Sequence, residues 1–374
     1  MSLWRGIGLG LTLAFIFSGC YPGTRPLTKI GLVAPFTGFD EAVGYSVLYS
    51  AKLALKERNS RGGVSGYMVE LVALDDRNQA DLAVQRAQMM ALDADIMGVI
   101  GHYENAAALA ASEEYHRAGL AYLAVSATAD ELTRKGYPEV FRLCPPGRSV
   151  IEKAARVMAH DWPAALAVIW DADFRSEAQA LISRSKSLGG DVVYGAEISR
   201  WQLDYRSVLH GLAGVRPQMV CFLGRAAEGG AFLKQARDAG LDFTFLGGPG
   251  TGDPRLAEIA GSALEGAFYL GLFREVKDER FMRGFRELAS RPAGEYSAAT
   301  YDATNVLLEA MERAIRKRGR PEREAILHEV SQTTGYQGLT GVISFDARGD
   351  VAVSSVYVFQ VRGGRFPGQP AGAP

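Results

Sequence analysis

The sequence has few of the residues on which covalent or metal-based chemistry depends. Its 374 residues include three cysteines and five histidines, and their spacing is not typical of a metal site. We find no phosphate-binding P-loop, no G-x-S-x-G elbow and no paired Ser/His/Asp context. The sequence therefore predicts a protein that is not an enzyme and that uses no metal or other cofactor.

Excess charge and long apolar runs are also lacking. The chain carries 41 Lys and Arg against 42 Asp and Glu, and no long basic run, so nothing predicts a nucleic-acid partner. The apolar run Ile7–Phe17 is too short for a membrane span, which needs about 20 residues. Because Arg5 precedes this run and the small residues Ser18 and Gly19 follow it, we predict a signal peptide over residues 1–19.

Cys20 follows the predicted signal peptide directly. This arrangement resembles the bacterial lipobox, in which the cysteine becomes the lipidated first residue of the mature protein. Residues 20–26 would then be a lipidated tether that holds the protein on the periplasmic or cell-surface side of a membrane; multiple acyl chains give stable anchoring. The alternatives are secretion without lipid and an uncleaved anchor. Cys144 and Cys221 allow one disulfide at most, but their apolar contexts favour two small buried side chains.

Strand and helix patterns alternate along the rest of the chain. Such an alternation predicts parallel sheets that are covered by helices. Pro145 and Pro146 interrupt the alternation, which then starts again, so we expect two similar units. The length of the chain agrees with two hydrophobic cores. Residues 365–374 are rich in glycine and proline and predict a disordered tail.

Segments spread over nearly all of the predicted mature chain resemble the leucine/isoleucine/valine-binding protein family, the type I periplasmic solute-binding proteins of ABC importers. The resemblance is carried by Lys29–Gly38, Ala51–Gly66, Leu71–Asp76, Val99–His102, Ser126–Arg142, Leu233–Leu241, Tyr301–Ala310 and Gly341–Asp350.

This resemblance implies an α/β fold of two similar lobes, each a parallel sheet flanked by helices. Three hinge crossings would join the lobes, near residues 142–146, 271–275 and 346. Lobe one would comprise residues 27–144 and 273–345, and lobe two residues 145–272 and 346–364. The implied function is capture of a small carboxylate or amino-acid-like solute by hinge closure, for delivery to ABC permease subunits. The alternative is a ligand sensor of the same fold that acts through a partner.

The segment "LAVSATADELT" is the first candidate site, because a strand ends there at the start of a helix. Thr128 and Glu131 have the spacing of a capping box. The N–H groups at a helix start also suit a carboxylate. The resemblance implies that Ser126, Ala127 and Thr128 hold the carboxylate of the ligand.

The segment "GHYENAA" is the second candidate, again between a strand and a helix. Asn105 stands where relatives that bind amino acids often have a serine, and Tyr103 and Glu104 precede it. The resemblance implies contact with the ligand, although asparagine is also a good helix cap.

The predicted second lobe supplies three more candidate ligand-binding residues. The resemblance places Phe174 near an aromatic side chain that packs on the ligand, although Phe174 would also suit packing within the lobe. Arg225 stands where an aromatic residue is common. Pro249 aligns with the acidic residue that pairs with the ammonium group of the ligand.

These departures from the family predict an unusual ligand. Proline has no charge and no side-chain acceptor, and a buried ammonium group without a partner is unfavourable. Arg175 and Arg225 would make the cleft more cationic. We therefore expect a small carboxylate without a free α-amine, unless Glu104, Asp173 or Glu228 supplies the negative charge.

Overall fold

The computed structural model describes residues 25–161 and 165–371. The predicted signal peptide, Cys20 and most of the predicted tether lie outside these residues. Within the two described ranges, no helix is both long enough and apolar enough to cross a membrane.

The first part of the chain forms a five-stranded parallel sheet in the order β2-β1-β3-β4-β5. Its strands are β1 (Leu27–Ala34), β2 (Met68–Asp75), β3 (Ile96–Gly101), β4 (Ala121–Ala124) and β5 (Val140–Arg142). The intervening helices are α1 (Glu41–Ser60), α2 (Ala80–Leu92), α3 (Asn105–Arg117) and the short α4 (Glu131–Arg134).

The chain then forms a second unit of alternating helices and strands. Its elements are α5 (Gly147–Arg156), β6 (Leu166–Asp171), α6 (Arg175–Ser187), β7 (Val192–Ile198), α7 (Arg206–Val215), β8 (Met219–Leu223), α8 (Ala226–Asp238), β9 (Thr244–Gly247), α9 (Arg255–Ala260) and β10 (Phe268–Gly271). The last elements are α10 (Glu279–Ala289), α11 (Ser297–Arg318), α12 (Arg323–Ser331), β11 (Tyr336–Gln337), β12 (Val342–Ile343), β13 (Tyr357–Arg362) and β14 (Arg365–Pro370).

The second large sheet has seven strands in the order β14-β13-β10-β9-β8-β6-β7. Strands β6 to β10 run parallel to one another, and β13 and β14 are added at the β10 edge as antiparallel strands. The helices α10 to α12 pack on the first unit instead, where α11 contacts α1 and β3. The chain therefore passes between the two sheets three times, after β5, after β10 and before β13. The predicted α/β fold with helix-covered parallel sheets is confirmed.

Each of the two large sheets is buried on both faces, and β11 and β12 form a separate two-stranded sheet. In the first unit, apolar side chains of α1, α11 and α12 fill one face, and those of α2 and α3 fill the other. In the second unit, α7, α8 and α9 cover one face, whereas α5 and α6 cover the other. This double burial explains the nearly continuous apolar strands, and it leaves only the strand ends and their loops to form a site.

The prediction of a disordered tail from residue 365 onward is wrong for residues 365–370. These residues form β14, which pairs with β13. The ring of Phe366 stacks on Tyr269 with 5.3 Å between centroids, and Gly368 donates its N–H to the Tyr269 hydroxyl over 3.0 Å. Glycine and proline are compatible with an edge strand of this kind, so the composition alone did not indicate pairing.

Helix α3 shows how the sequence positions the first candidate loop. The helix is rich in alanine, and its buried residues Ala107, Ala108, Ala111 and Tyr115 form one face that packs on the sheet. The preceding strand ends in Gly101, where φ is 130° and a Cβ atom would lie 2.0 Å from the Val33 carbonyl oxygen. Only glycine allows this close approach, which turns the chain toward the start of α3.

Candidate functional site

A cavity of about 100 Å³ lies between the two units, at the carboxyl ends of β3, β4, β6, β8 and β9. Eight of the nine predicted ligand-binding residues line it: Tyr103, Glu104, Asn105, Ser126, Thr128, Phe174, Arg225 and Pro249. The other lining residues are Gly147, Val150, Ile151, Ala154, Glu177, Leu181, Leu223, Gly224, Gly248, Gly250, Leu272 and Tyr296. The structure thus brings together residues that are up to 193 positions apart in the sequence, Tyr103 and Tyr296.

Asn105 connects the two loops of the first unit. Its side-chain oxygen accepts a hydrogen bond from the Ala129 N–H over 3.0 Å. Its side-chain nitrogen donates to the Thr128 hydroxyl oxygen over 3.4 Å, which leaves the Thr128 hydrogen available for another acceptor. Ser126 donates its hydroxyl to the Tyr103 carbonyl over 3.1 Å. The two loops therefore form one connected wall of the cavity.

The predicted capping box of Thr128 and Glu131 does not form. Helix α4 begins at Glu131 itself, with Asp130 as its N-cap and no side-chain cap hydrogen bond. The Thr128 side chain faces Asn105 and the cavity instead. Ala127 is the predicted ligand-binding residue that does not line the cavity, because it is buried and its carbonyl accepts a hydrogen bond from the Cys144 thiol.

Tyr103 and Tyr296 form an aromatic part of the wall, with ring centroids 6.0 Å apart. The Tyr103 hydroxyl and the Thr300 hydroxyl are hydrogen bonded over 2.8 Å, and burial raises the pKa of Tyr103 above its usual value. Tyr103 is therefore a neutral, fixed side chain.

The guanidinium of Arg142 holds the loop that contains Thr128 and Ala129. It donates to the carbonyls of Thr128 and Ala129 over 3.0 and 2.8 Å. It also pairs with Asp350, whose Oδ1 atom lies 2.8 Å from Nε and 2.7 Å from Nη2. The Arg142 side chain is fully buried. Since these residues lie at the first and third passages between the sheets, the pair fixes the loop at the hinge.

Arg225 joins the two units across the cavity. Its guanidinium donates to Asp171 over 2.7 Å and to Asp173 over 2.8 Å in its own unit, and to Glu104 of the first unit over 2.9 Å. Its side chain is 7% exposed. Burial opposes the charged form, but Glu104 and the two aspartates together raise the pKa of Arg225 above its usual value. The guanidinium is thus charged and already surrounded by carboxylates.

For Glu104, the effect of burial on the pKa exceeds the effect of the neighbouring charge. Burial raises the pKa of this carboxyl to about 6, although the charge of Arg225 acts against the rise. Because Glu104 and Arg225 compensate each other, the cleft is not cationic, contrary to our expectation. Arg175 does not contribute to the cavity either, because it pairs with Glu197 at the surface.

Further contacts close the cleft around the cavity. The rings of Phe39 and Trp201 stack across the cleft with 4.3 Å between centroids, and Arg255 donates to the Phe39 carbonyl. Asn105 of the first unit also donates to Glu177 of the second unit over 3.3 Å. The structure therefore shows the two units in contact on several sides of the cavity.

Glu177 is the polar residue that our sequence reasoning missed. It lies in the first turn of α6, half-buried, and lines the cavity. Across residues 25–161 and 165–371, Glu177 takes part in no ion pair; its carboxylate oxygens accept from Asn105 and Ser176. An acidic residue in the first turn of a helix is common, so the sequence alone gave no reason to place it in the site.

Pro249 lines the cavity at the first position of a short 3₁₀ turn, where its missing N–H removes no hydrogen bond. Of the three carboxylates that we considered as substitutes for an acid here, Glu104 and Asp173 bind Arg225. Glu228 instead accepts from the N–H groups of Trp201 and Arg225 and lies outside the cavity lining.

The described ranges contain no cluster of His, Cys, Asp or Glu that could hold a metal ion. Cys144 and Cys221 are both buried and free, which confirms that they act as small buried side chains. Burial raises the pKa of each thiol to about 12.

Comparison with known proteins points to one class. The family described as periplasmic binding protein matches residues 28–365. The leucine-, isoleucine-, valine-, threonine- and alanine-binding protein of Pseudomonas aeruginosa is 27% identical over 329 residues, which cover 86% of this chain and 87% of that protein.

Two crystal structures show the same fold. The leucine binding protein LivK of Thermotoga maritima has a TM-score of 0.80 and 26% identity, over 91% of this chain and 97% of that one. The branched-chain amino acid transporter substrate binding protein LivJ of Streptococcus pneumoniae, solved with isoleucine, has a TM-score of 0.83 and 21% identity, over 92% and 99%.

Two helix-covered parallel sheets, three passages between them and a cavity where their strand ends face each other define a type I periplasmic binding protein. Within this class, the chain belongs to the leucine/isoleucine/valine-binding protein family.

Proposed function

We propose that the protein is the extracytoplasmic solute-binding subunit of an ABC importer and that it captures an amino acid with an apolar side chain. The observation that carries this proposal is the composition of the cavity wall. Hydrogen-bond donors and the Glu177 carboxylate, which has no ion-pair partner among the described residues, lie at one end of the cavity, and apolar side chains line the rest. Closure of the two units, which are the lobes of this family, would bury such a solute between them.

The carboxylate of the solute would bind at the loops of the first unit. The first N–H groups of α3 have no partner within the helix, and the Thr128 hydroxyl keeps a hydrogen to donate. Ser126 and Asn105 hold the two loops in place, since their donor groups are hydrogen bonded to Tyr103, Thr128 and Glu177. The sequence predicted Ser126, Ala127 and Thr128 for the carboxylate and a ligand contact for Asn105; Ala127 lies outside the cavity lining, and we retain Thr128 as the side-chain donor to the carboxylate.

The ammonium group would bind Glu177. Asn105 Nδ2 lies 3.3 Å from the Glu177 carboxylate and 3.4 Å from the Thr128 hydroxyl, so these two oxygens are at most about 7 Å apart. The carboxylate and ammonium groups of one α-amino acid can reach both sites. Glu177 would thus take the place of the acidic residue that is missing at Pro249. The proline then gives no reason to expect a solute without an α-amine. The names of relatives that bind leucine, isoleucine and valine support the same class.

The partners would be ABC permease subunits, and a lipid on Cys20 would hold the protein at the membrane. These proposals rest on the family and on the lipobox-like sequence around Cys20. Replacing Cys20 by serine should release the protein from the membrane fraction, whereas retention there would contradict lipid anchoring.

The experiment is a pair of measurements on the same protein. Calorimetry with the proteinogenic amino acids and with benzoate, a carboxylate without an amine, should show tight binding of one or more apolar amino acids and none of benzoate. Uptake of the bound amino acid should fall when the gene is deleted and return with the wild-type gene, but not with Thr128→Val. Unchanged uptake of every solute that binds would contradict the transport role and favour a sensor.

A further inference from the structure

The cavity continues from its polar end toward two helices of the second unit. Three wall residues, Val150, Ile151 and Ala154, lie on one face of α5, and Leu181 lies on the facing side of α6. Ala154 is 2% exposed and Leu181 is 1% exposed, so both belong to the hydrophobic core as well as to the cavity wall. This end of the cavity is apolar.

An ion pair also links the two helices at the surface. Glu152 of α5 accepts hydrogen bonds from Arg184 of α6 over 2.6 and 3.0 Å. The pair adds to the apolar packing that holds the two helices together. Ala154 is small, and a larger side chain at this position would project into the space between them.

The polar and apolar ends share one face of α6. Glu177 and Leu181 are four residues apart, about 6 Å along the helix axis. A solute whose ammonium group binds Glu177 can extend its side chain along α6 until it meets Leu181. That distance suits an extended chain of about four carbon atoms.

We infer that the side chain of the solute lies between α5 and α6, and that Ala154 and Leu181 set the maximum length of the side chain. This inference rests on the proposed function. It assigns the selection of solutes by size to the second unit, whereas the first unit recognises the carboxylate that all amino acids share.

The test is a calorimetric series with 2-aminobutyrate, norvaline, norleucine and 2-aminoheptanoate on the full-length protein. Ala154→Val should weaken norleucine binding by roughly tenfold or more, because the added methyl groups occupy its space, but should change 2-aminobutyrate binding by less than about threefold. Leu181→Ala should move the optimum toward the longer solutes. The matched control is Ala155→Val, a neighbouring buried alanine outside the cavity lining, which should leave the order of affinities unchanged.

The Leu181→Ala variant keeps the test decisive if Ala154→Val does not fold. Amino-acid binding with a length preference that neither folded variant shifts would overturn the inference and leave the proposed function intact. If the wild-type protein bound none of the four amino acids and none of the proteinogenic ones, the proposed function would fail together with the inference.

Discussion

Replacing Asp350 by asparagine should lower the free energy of unfolding by about 3–5 kcal/mol. The change keeps the shape of the side chain and removes its charge. Arg142 would then remain fully buried without its counter-charge, since Asp350 is its ion-pair partner at 2.7 Å. An unpaired buried charge costs far more than an ion pair contributes at the surface, which is why we expect a large effect.

The same substitution should weaken solute binding. Arg142 holds the carbonyls of Thr128 and Ala129, so a displaced guanidinium would release the loop that we assign to the carboxylate. Urea unfolding followed by circular dichroism measures the stability, and calorimetry with the tightest amino acid measures the affinity.

The matched control is Glu131→Gln, which removes the charge from an arginine–carboxylate pair at the surface. Glu131 and Arg134 are 60% and 58% exposed, so the loss of stability should be at most about 1 kcal/mol. If Asp350→Asn cost no more than this control, the buried pair would not support the loop and our reasoning would be refuted.

Three further predictions concern charge and burial around the site. Glu177→Gln should weaken amino-acid binding at least about tenfold, because the charged partner of the ammonium group is lost, and should change stability little, because the half-buried amide keeps one acceptor oxygen; equal affinity in calorimetry would contradict our assignment. Burial raises the pKa of Glu104 from its ordinary 4.5 to about 6, so the folded protein holds this proton more tightly than the unfolded chain. The unfolding free energy should therefore fall by about 2 kcal/mol as pH rises from about 4 to 7, and Glu104→Gln should remove this part of the dependence in urea titrations; an identical pH profile in the variant would refute the shift. Cys144 and Cys221 should not react with a thiol reagent at pH 8 until the protein is unfolded, because burial raises the pKa of both thiols to about 12; rapid labelling of the native protein would contradict this.

The order of the elements could be predicted from the sequence because each one has a local signal. Helix α3 is an alanine-rich segment with one buried face, and the strands β3 and β8 are continuous apolar runs. The weaker elements lacked such a signal. Strand β14 depends on pairing with β13 and on the stacking of Phe366 on Tyr269, and neither is visible in a local window.

The sequence predicted which loops line the site, but it did not predict the charge of the cleft. The strand ends indicated where Ser126, Thr128 and Asn105 would face a cleft. The charge state of the cleft depends on pairs such as Arg225 with Glu104, which are separated by 121 positions and meet only when the lobes do. Glu177 was missed for the same reason, since its role depends on facing Asn105 of the other unit.

The most direct test of the account is a crystal structure of the full-length protein with the amino acid that binds most tightly. Our account predicts the solute in the cavity between the lobes, with its carboxylate within hydrogen-bond distance of the Thr128 hydroxyl, its ammonium group beside Glu177 and its side chain between α5 and α6. A solute bound outside this cavity, or one with its ammonium group away from Glu177 and its side chain directed toward the first unit, would contradict the account.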